Sequence, residues 1–181
     1  MKQLRHAMID IESRDIIPSA KIVSIGAVIF DPRANKVSKD TFYSTVDLKT
    51  QKGRTEGKST LEWWDKQSPR ARKALKGTAQ LPDVLEDLAF WLPTDCKIWG
   101  NGPNFDMWFL EDAYRWADME CPWIYWNIRD CRTIKDLYES RRGGYGVVTK
   151  EPSHNSREDA IQQTKDICKM WNQLLDPKGV R

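Results

Sequence analysis

Residues 21–30 read Lys21-Ile-Val-Ser-Ile-Gly-Ala-Val-Ile-Phe30. The stretch is rich in β-branched residues and nearly all apolar. That is the signature of a strand buried on both faces, which needs a sheet with a layer packed on each side. Upstream, Leu4–Ile11 (LRHAMIDI) is a short, partly apolar run and predicts another strand. Downstream, Asp31–Lys36 (DPRANK) carries Pro and Asn and reads as a turn. Val37–Leu48 (VSKDTFYSTVDL) then alternates well enough for a third strand. Three consecutive strands joined by short connections predict an antiparallel meander.

Beyond the meander the spacing becomes helical. Ser59 is expected to cap a helix through Thr60–Ser68, with Glu62 as its capping-box partner. Pro69 is expected to open a short helix (PRARKALKG) that Gly77 ends. Gln80–Leu92 sets Leu81, Val84, Leu85, Leu88 and Trp91 on one stripe, and Pro93 stops it. Lys97–Gly100 reads as a brief strand. Asn104–Asp118 reads as a helix whose inner side holds Phe105, Trp108, Phe109, Ala113 and Trp116. A strand over Trp123–Ile128 and a helix over Cys131–Glu139 follow. Arg141–Ser153 has three glycines and no apolar period, which predicts a mobile flap. The last helix is expected from about Asn155 to Leu175, with Ile161, Cys168, Trp171 and Leu175 facing in. This order fits an α/β domain with a mixed central β-sheet, an antiparallel meander plus parallel strands reached through helices.

The chain has 181 residues, 29 Lys+Arg against 26 Asp+Glu, and 40% apolar content. That is enough for one domain (1–181) with a substantial core, and it excludes intrinsic disorder. No run approaches the roughly 20 apolar residues of a membrane helix, so no membrane role is expected. The N-terminus has no signal-peptide pattern. Cys96, Cys121, Cys131 and Cys168 show no metal-type spacing and read as reduced thiols of a cytoplasmic protein. A formal charge of +3 permits an anionic partner without requiring one.

Asp10 and Glu12 are two apart in the first strand and so share one face, while Ile9 and Ile11 point the other way into a core. Adjacent carboxylates repel unless a proton or cation lies between them, and oxygen donors of this kind suit Mg²⁺ or Mn²⁺. On those residues alone a solvated acidic strand end fits equally. Asp106 opens a helix directly after a short strand, where a plain helix-dipole charge is the simpler reading. The turn Asn101–Asn104, followed by Phe105, lies where open α/β sheets place ligands. His154 and Asp159 are five apart, about 140° on an ideal helix, so they share no helical face. His154 therefore belongs to the loop, where it could serve as a base, and Asp159 to the first turns of the helix beside Ala160 and near Gln163. His6 reads as structural. Of Trp63 and Trp64, one is expected in the core and one facing a cleft as a base-stacking surface. Trp91, Trp108, Trp116 and Trp171 are expected in the core. Lys66, Arg70, Arg72, Lys73 and Lys76 form a basic run that reads as a solvated helix face or as a phosphate patch.

Three segments together carry a resemblance: Asp10-Ile-Glu12-Ser13, Asn101-Gly-Pro-Asn104-Phe105-Asp106 and His154-Asn-Ser-Arg-Glu-Asp159. In this order they resemble the three motifs of the DEDDh 3′→5′ exonucleases, which have an RNase H-like fold. The helix with Thr60, Trp63 and Trp64, followed by Lys66-Gln-Ser, is similar to the exonuclease VIII-like branch and its phage and mycobacterial relatives. One position departs from the proofreading type, which continues Thr-Thr-Gly after the glutamate; here Ser13, Arg14 and Asp15 follow, leaving Ser13 to supply a hydroxyl.

The resemblance implies a metal-dependent exonuclease releasing nucleoside 5′-monophosphates, with single-stranded DNA or RNA 3′ ends as the easier substrate. It assigns two divalent cations per site to Asp10, Glu12, Asp106 and Asp159, with Asp10 bridging and Asp106 acting partly through water. His154 would be the general base. Ser13, Trp63, Trp64, Asn101, Asn104 and Phe105 would contact substrate. A homodimer stays open, since relatives often dimerise. Two alternatives are a non-catalytic nucleic-acid-binding module and a two-metal phosphodiesterase for small oligonucleotides.

Overall fold

The computed structural model of the chain describes residues 5–141 and 153–176. Three strands, β1 (His6–Ser13), β2 (Ile22–Asp31) and β3 (Lys36–Thr45), form the expected antiparallel meander. β4 (Lys97–Gly100) adds to β1 in parallel, and β5 (Ile128–Asp130) adds to β4 in parallel. The five-stranded order is β3-β2-β1-β4-β5, so β1 is central. Helices α1 (Lys58–Asp65), α2 (Leu81–Trp91), α3 (Pro103–Trp116), α4 (Cys131–Arg141) and α5 (Ser156–Leu175) surround the sheet, with a 3₁₀ turn at Ala71–Lys76 and another at Tyr125–Asn127.

Period-two alternation along β1 divides the core. Ala7, Ile9 and Ile11 pack with Leu81, Leu85 and Leu88 of α2 and Leu110 and Tyr114 of α3. Met8 faces the other way and packs with Val28, Phe30, Trp99, Tyr138 of α4 and Ile167 of α5. A smaller cluster of Val23, Trp64, Ala71 and Ala74 lies beneath α1 and the 3₁₀ turn that follows it. His6 is structural: its Nδ1 accepts the Trp99 indole N–H at 2.9 Å and its ring packs on Phe30. The four cysteines are free thiols.

Several local expectations give way to tertiary demands. The Trp123–Ile128 segment is a strand only from Ile128; its aromatics pack locally instead, with Trp123 edge-on to Tyr114 and its indole N–H donated to Glu111. Ser59 does not cap α1, because the helix starts two residues earlier with Gly57 as its N-cap and without a side-chain cap. The segment after Pro69 winds as 3₁₀ from Ala71, where only Ala71 and Ala74 are buried. On α3 the inner side is Met107, Phe109, Leu110, Ala113 and Tyr114, which turns Trp108 (53% exposed) and Trp116 (37% exposed) outward. Trp116 instead donates to the Lys52 carbonyl and lies beneath the Arg54 guanidinium. Trp91 and Trp171 are only half-buried, and Leu175 of α5 is exposed. The expected flap over Arg141–Ser153 lies, but for its two end residues, outside the described residues.

Gly26 determines how α5 meets the sheet. It sits opposite Asp10 in the β1–β2 register. A Cβ there would come within 2.2 Å of the Arg157 nitrogen and the Ser156 carbonyl carbon. The first turn of α5 therefore rests directly on the β2 backbone, and the buried hydroxyls of Ser24 and Ser156 meet at 2.9 Å beside it. A lone glycine inside a strand marks such a close backbone approach. Gly26→Ala should push α5 off β2 and cost about 1–3 kcal/mol by overpacking, measured by urea unfolding. A loss below about 0.5 kcal/mol would mean that the contact yields freely.

Candidate active site

β1 carries Asp10 and Glu12 toward the side covered by α5, as period two requires. The first turn of α5, seated on Gly26, brings Asp159 to them. One carboxylate oxygen from each of Asp10, Glu12 and Asp159 lies within 4.8 Å of the other two. Asp106 comes from the opposite side of the strand end. β4 runs parallel to β1, the chain reverses through Gly102 in the left-handed region (φ 101°), and Pro103 starts α3. That turn buries Asp106 and lets its Oδ1 accept the backbone N–H of Ile11, between Asp10 and Glu12, at 3.2 Å.

Enclosure dominates the electrostatics. Asp10 and Glu12 keep some surface toward the cleft, yet burial raises both carboxyls. Asp10 is held well above the ordinary carboxylate range by burial, then by Asp106, Glu12 and Asp159, while the Gln163 amide draws it down. Glu12 is pushed up to about 8 by burial, then by Asp159 and Asp106. Asp106 is raised to about 7 by burial, against the pull of the Ile11 and Asn101 backbone and the Arg132 charge. Among the described residues no ion pair engages any of these four carboxylates.

Supporting contacts fix the cluster. Gln163 stands one helical turn beyond Asp159 and donates from Nε2 to Asp10 Oδ1 at 2.7 Å. Its Oε1 is buried without a partner among the described residues. The i, i+4 spacing from Asp159 was the sequence signal for Gln163 as a site residue, as the isolated strand glycine was for Gly26. Asp159 Oδ1 accepts the Ser153 backbone N–H at 2.8 Å, which ties the histidine loop to the helix. His154 follows at φ 54°, and its ring meets Trp63 edge-on with centroids 4.7 Å apart.

The expected substrate residues separate. Trp64 is fully buried and donates its indole N–H to the Ser13 carbonyl at 2.8 Å, so it is a core anchor and not a stacking surface. Trp63 stays 37% exposed beside His154. The Ser13 hydroxyl is buried and donates to the Asp15 carbonyl at 2.7 Å, so a local turn occupies the group that was expected to meet a nucleotide. Asn101, Asn104 and Phe105 are exposed, with the Phe105 ring 4.2 Å from Phe109. Between α4 and α5 a cavity of about 440 Å³ continues from the carboxylates, lined by Asn101, Arg132, Lys135, Asp159, Gln163 and Asp166 among others.

The chain has counterparts among known proteins. An exodeoxyribonuclease of Enterobacteria phage T4 is 27% identical over 175 residues; the match covers 92% of this chain and 66% of the phage protein, just under two thirds of its length. The nuclease domain of 3′hExo, a DEDDh family member solved bound to rAMP, superposes with a TM-score of 0.60 at 14% identity, covering 99% of this chain and 96% of that one. S. pombe Pop2p in its Mg²⁺- and Mn²⁺-bound form superposes with a TM-score of 0.61 at 14% identity, covering 97% and 85%. At such identities the two structures establish the shared fold. The model of the 3′-5′ exoribonuclease Rv2179c-like domain matches residues 5–171, nearly the whole chain, and the chain belongs to that exonuclease family.

Proposed function

We propose that the chain removes nucleoside 5′-monophosphates from single-stranded 3′ ends in a metal-dependent reaction. The observation that carries this reading is the convergence of Asp10, Glu12 and Asp159 within 4.8 Å, with Asp106 pinned beside them and, among the described residues, no cationic side chain paired to any of the four. Such a donor set is all oxygen and mutually repulsive, which fits hard divalent cations. Mg²⁺ or Mn²⁺, two per site, would supply a water of lowered pKa and stabilise charge on the leaving 3′-oxygen.

The chain's own residues supply the rest. Gln163 fixes one oxygen of Asp10 and leaves the second for a cation, while the Ile11 N–H holds Asp106 beside it. His154 accepts the proton of the attacking water. Asp159 acts twice, toward the cation and through Ser153 on the loop that carries His154. Trp63 and Phe105, each 37% exposed, offer ring surface to unstacked bases, and Asn101 and Asn104 offer amides at the rim. Arg132 lines the cavity between α4 and α5 and could meet a phosphate there, in a lining that also holds Asp136, Glu139, Asp159 and Asp166. A binding module would not need the carboxylate cluster, whose cost is justified only by a cation.

Release of labelled mononucleotides, followed on matched single- and double-stranded DNA and RNA with each metal, tests this directly. Asp10→Ala and Asp159→Ala should lose activity to background, and His154→Ala should lose about 10²–10⁴-fold. Wild-type rates in all three variants would refute the site.

Stability without metal gives a second test. A carboxyl whose folded-state pKa is raised contributes stability that is full below its unfolded pKa and lost as pH rises through the folded value. In EDTA the melting temperature should therefore fall as pH rises from about 5 through about 7 and 8, the values for Asp106 and Glu12. Mn²⁺ should raise it more at pH 8 than at pH 5, because deprotonated carboxylates bind the cation. Asp10→Asn should weaken the fall in EDTA. A melting temperature that ignores both pH and Mn²⁺ would show that these carboxylates hold no cation.

A further inference from the structure

His154 stands in a backbone conformation that few non-glycine residues adopt, at φ 54°. Such a residue costs on the order of 1–3 kcal/mol and persists only where its surroundings fix it. Four hydrogen bonds fix the flanking backbone. Ser153 N–H donates to Asp159, Asn155 N–H donates to the Ser153 hydroxyl at 3.3 Å, and the Asn155 side chain both caps α5 at Glu158 N–H and donates to the Tyr43 hydroxyl at 3.2 Å. None of these acts on the imidazole itself. The ring contact recorded for it comes from Trp63, perpendicular at 88°.

Trp63 is held in turn by its neighbour. Trp64 is anchored in the core through the Ser13 carbonyl at the end of β1, and the two indoles meet at 5.1 Å and 80°. The same segment reaches α5 a second time, where Arg70 pairs with Glu158 in the first turn. The chain between β3 and α2 therefore meets the histidine loop at the imidazole and the first turn of α5 at Glu158. The exposed ion pair adds little stability; the aromatic contact sets the direction of the ring.

We infer that Trp63 is a positioning residue that holds the His154 imidazole toward the water-attack side of the carboxylate cluster, the Trp63–Trp64 pair acting as a strut from the end of β1 to the base. This rests on His154 serving as base. It also assigns Trp63 an effect that base stacking alone would not produce. Base stacking belongs to binding; aim of the base belongs to the chemical step. Misplacement by about 1 Å can cost on the order of 10²-fold.

The test uses the whole chain and single-turnover mononucleotide release with Mn²⁺, over a range of oligonucleotide concentrations. The variants are Trp63→Leu, Trp63→Phe, His154→Ala and Trp63→Leu/His154→Ala. Leucine keeps bulk without an aromatic edge, phenylalanine restores the edge, and each melting temperature is recorded. The expected result is a maximal rate lowered about 10- to 100-fold in Trp63→Leu, beside whatever rise in half-saturation the lost ring surface brings. Trp63→Phe recovers to within about threefold of wild type. In the His154→Ala background Trp63→Leu has no further effect, because the group it aims is gone. A raised half-saturation with an unchanged maximal rate, or an equal loss in both backgrounds, overturns the inference and leaves Trp63 as a stacking or structural residue. Wild-type turnover in His154→Ala is a separate outcome; it removes the base assignment itself, whatever Trp63 does.

Discussion

Carboxylate groups forced together at the end of one strand are the constraint on which the rest of this structure depends. Asp10 and Glu12 share a face of β1 because strand geometry leaves no alternative, and Asp159 and Asp106 are brought in from two different helices. Burial holds Asp10, Glu12 and Asp106 above the ordinary carboxylate range, and for Asp10 and Glu12 the neighbouring negative charges add to that cost. A fold that served stability alone would dilute such a cluster or pair it with lysine and arginine. Here the described ion pairs are all elsewhere, on Glu56, Glu62, Asp112, Glu139 and Glu158. The energy stored in the cluster is available to a cation.

Holding those groups at fixed distances requires a rigid frame. β1 is central in the sheet, bonded to β2 along its length and to β4 over His6–Met8, beyond which the Asp106 carboxylate takes the Ile11 N–H. Gly26 allows α5 to sit directly on β2 opposite Asp10, and without that contact Asp159 would stand farther off. The left-handed turn at Gly102 folds α3 back so that Asp106 can reach the Ile11 N–H. Each of these is a backbone contact, less adaptable than side-chain packing. Gln163 and Ser153 then hold single carboxylate oxygens in place.

Much of this was legible in the sequence, and the reason is periodicity. The apolar run of β2, the two-residue spacing of Asp10 and Glu12, and the three motifs in order gave the mixed sheet and brought Asp10, Glu12 and Asp159 to one place with Asp106 at the strand end. What failed were judgments about which side of an element faces inward. Trp108 and Trp116 fit an apolar stripe on α3, but an equally apolar one through Met107, Leu110 and Tyr114 lies beside it, and packing on α2 and β1 chose between them. Ser13 and Trp64 carried suitable groups for a substrate, yet the local turn at Asp15 and the core beneath α1 took both. Gly26 and Gln163 had signals, a lone strand glycine and a helical i+4 position, that acquire meaning only once the partner element is known.

The charge distribution sets an order of events at the proposed site. The formal charge is only +3 because acidic and basic residues nearly cancel over the chain. A nucleic-acid phosphate approaching the carboxylate cluster alone would meet repulsion from as many as four negative groups. Among the described residues the cations do not pair with the cluster: Arg132 and Lys135 stand on the cavity between α4 and α5, and Lys66, Arg70, Arg72, Lys73 and Lys76 on the segment that bears α1 and the 3₁₀ turn. They can draw a strand to the rim, where screening is strong and contacts are worth little individually. They cannot neutralise the buried centre. On the proposed reading, cation occupancy would precede or accompany entry of the 3′ end, with the outlying cationic residues acting on encounter. That order separates salt dependence from metal dependence: added salt weakens capture at the rim, whereas the cation determines whether a captured end can descend to Asp10 and Glu12.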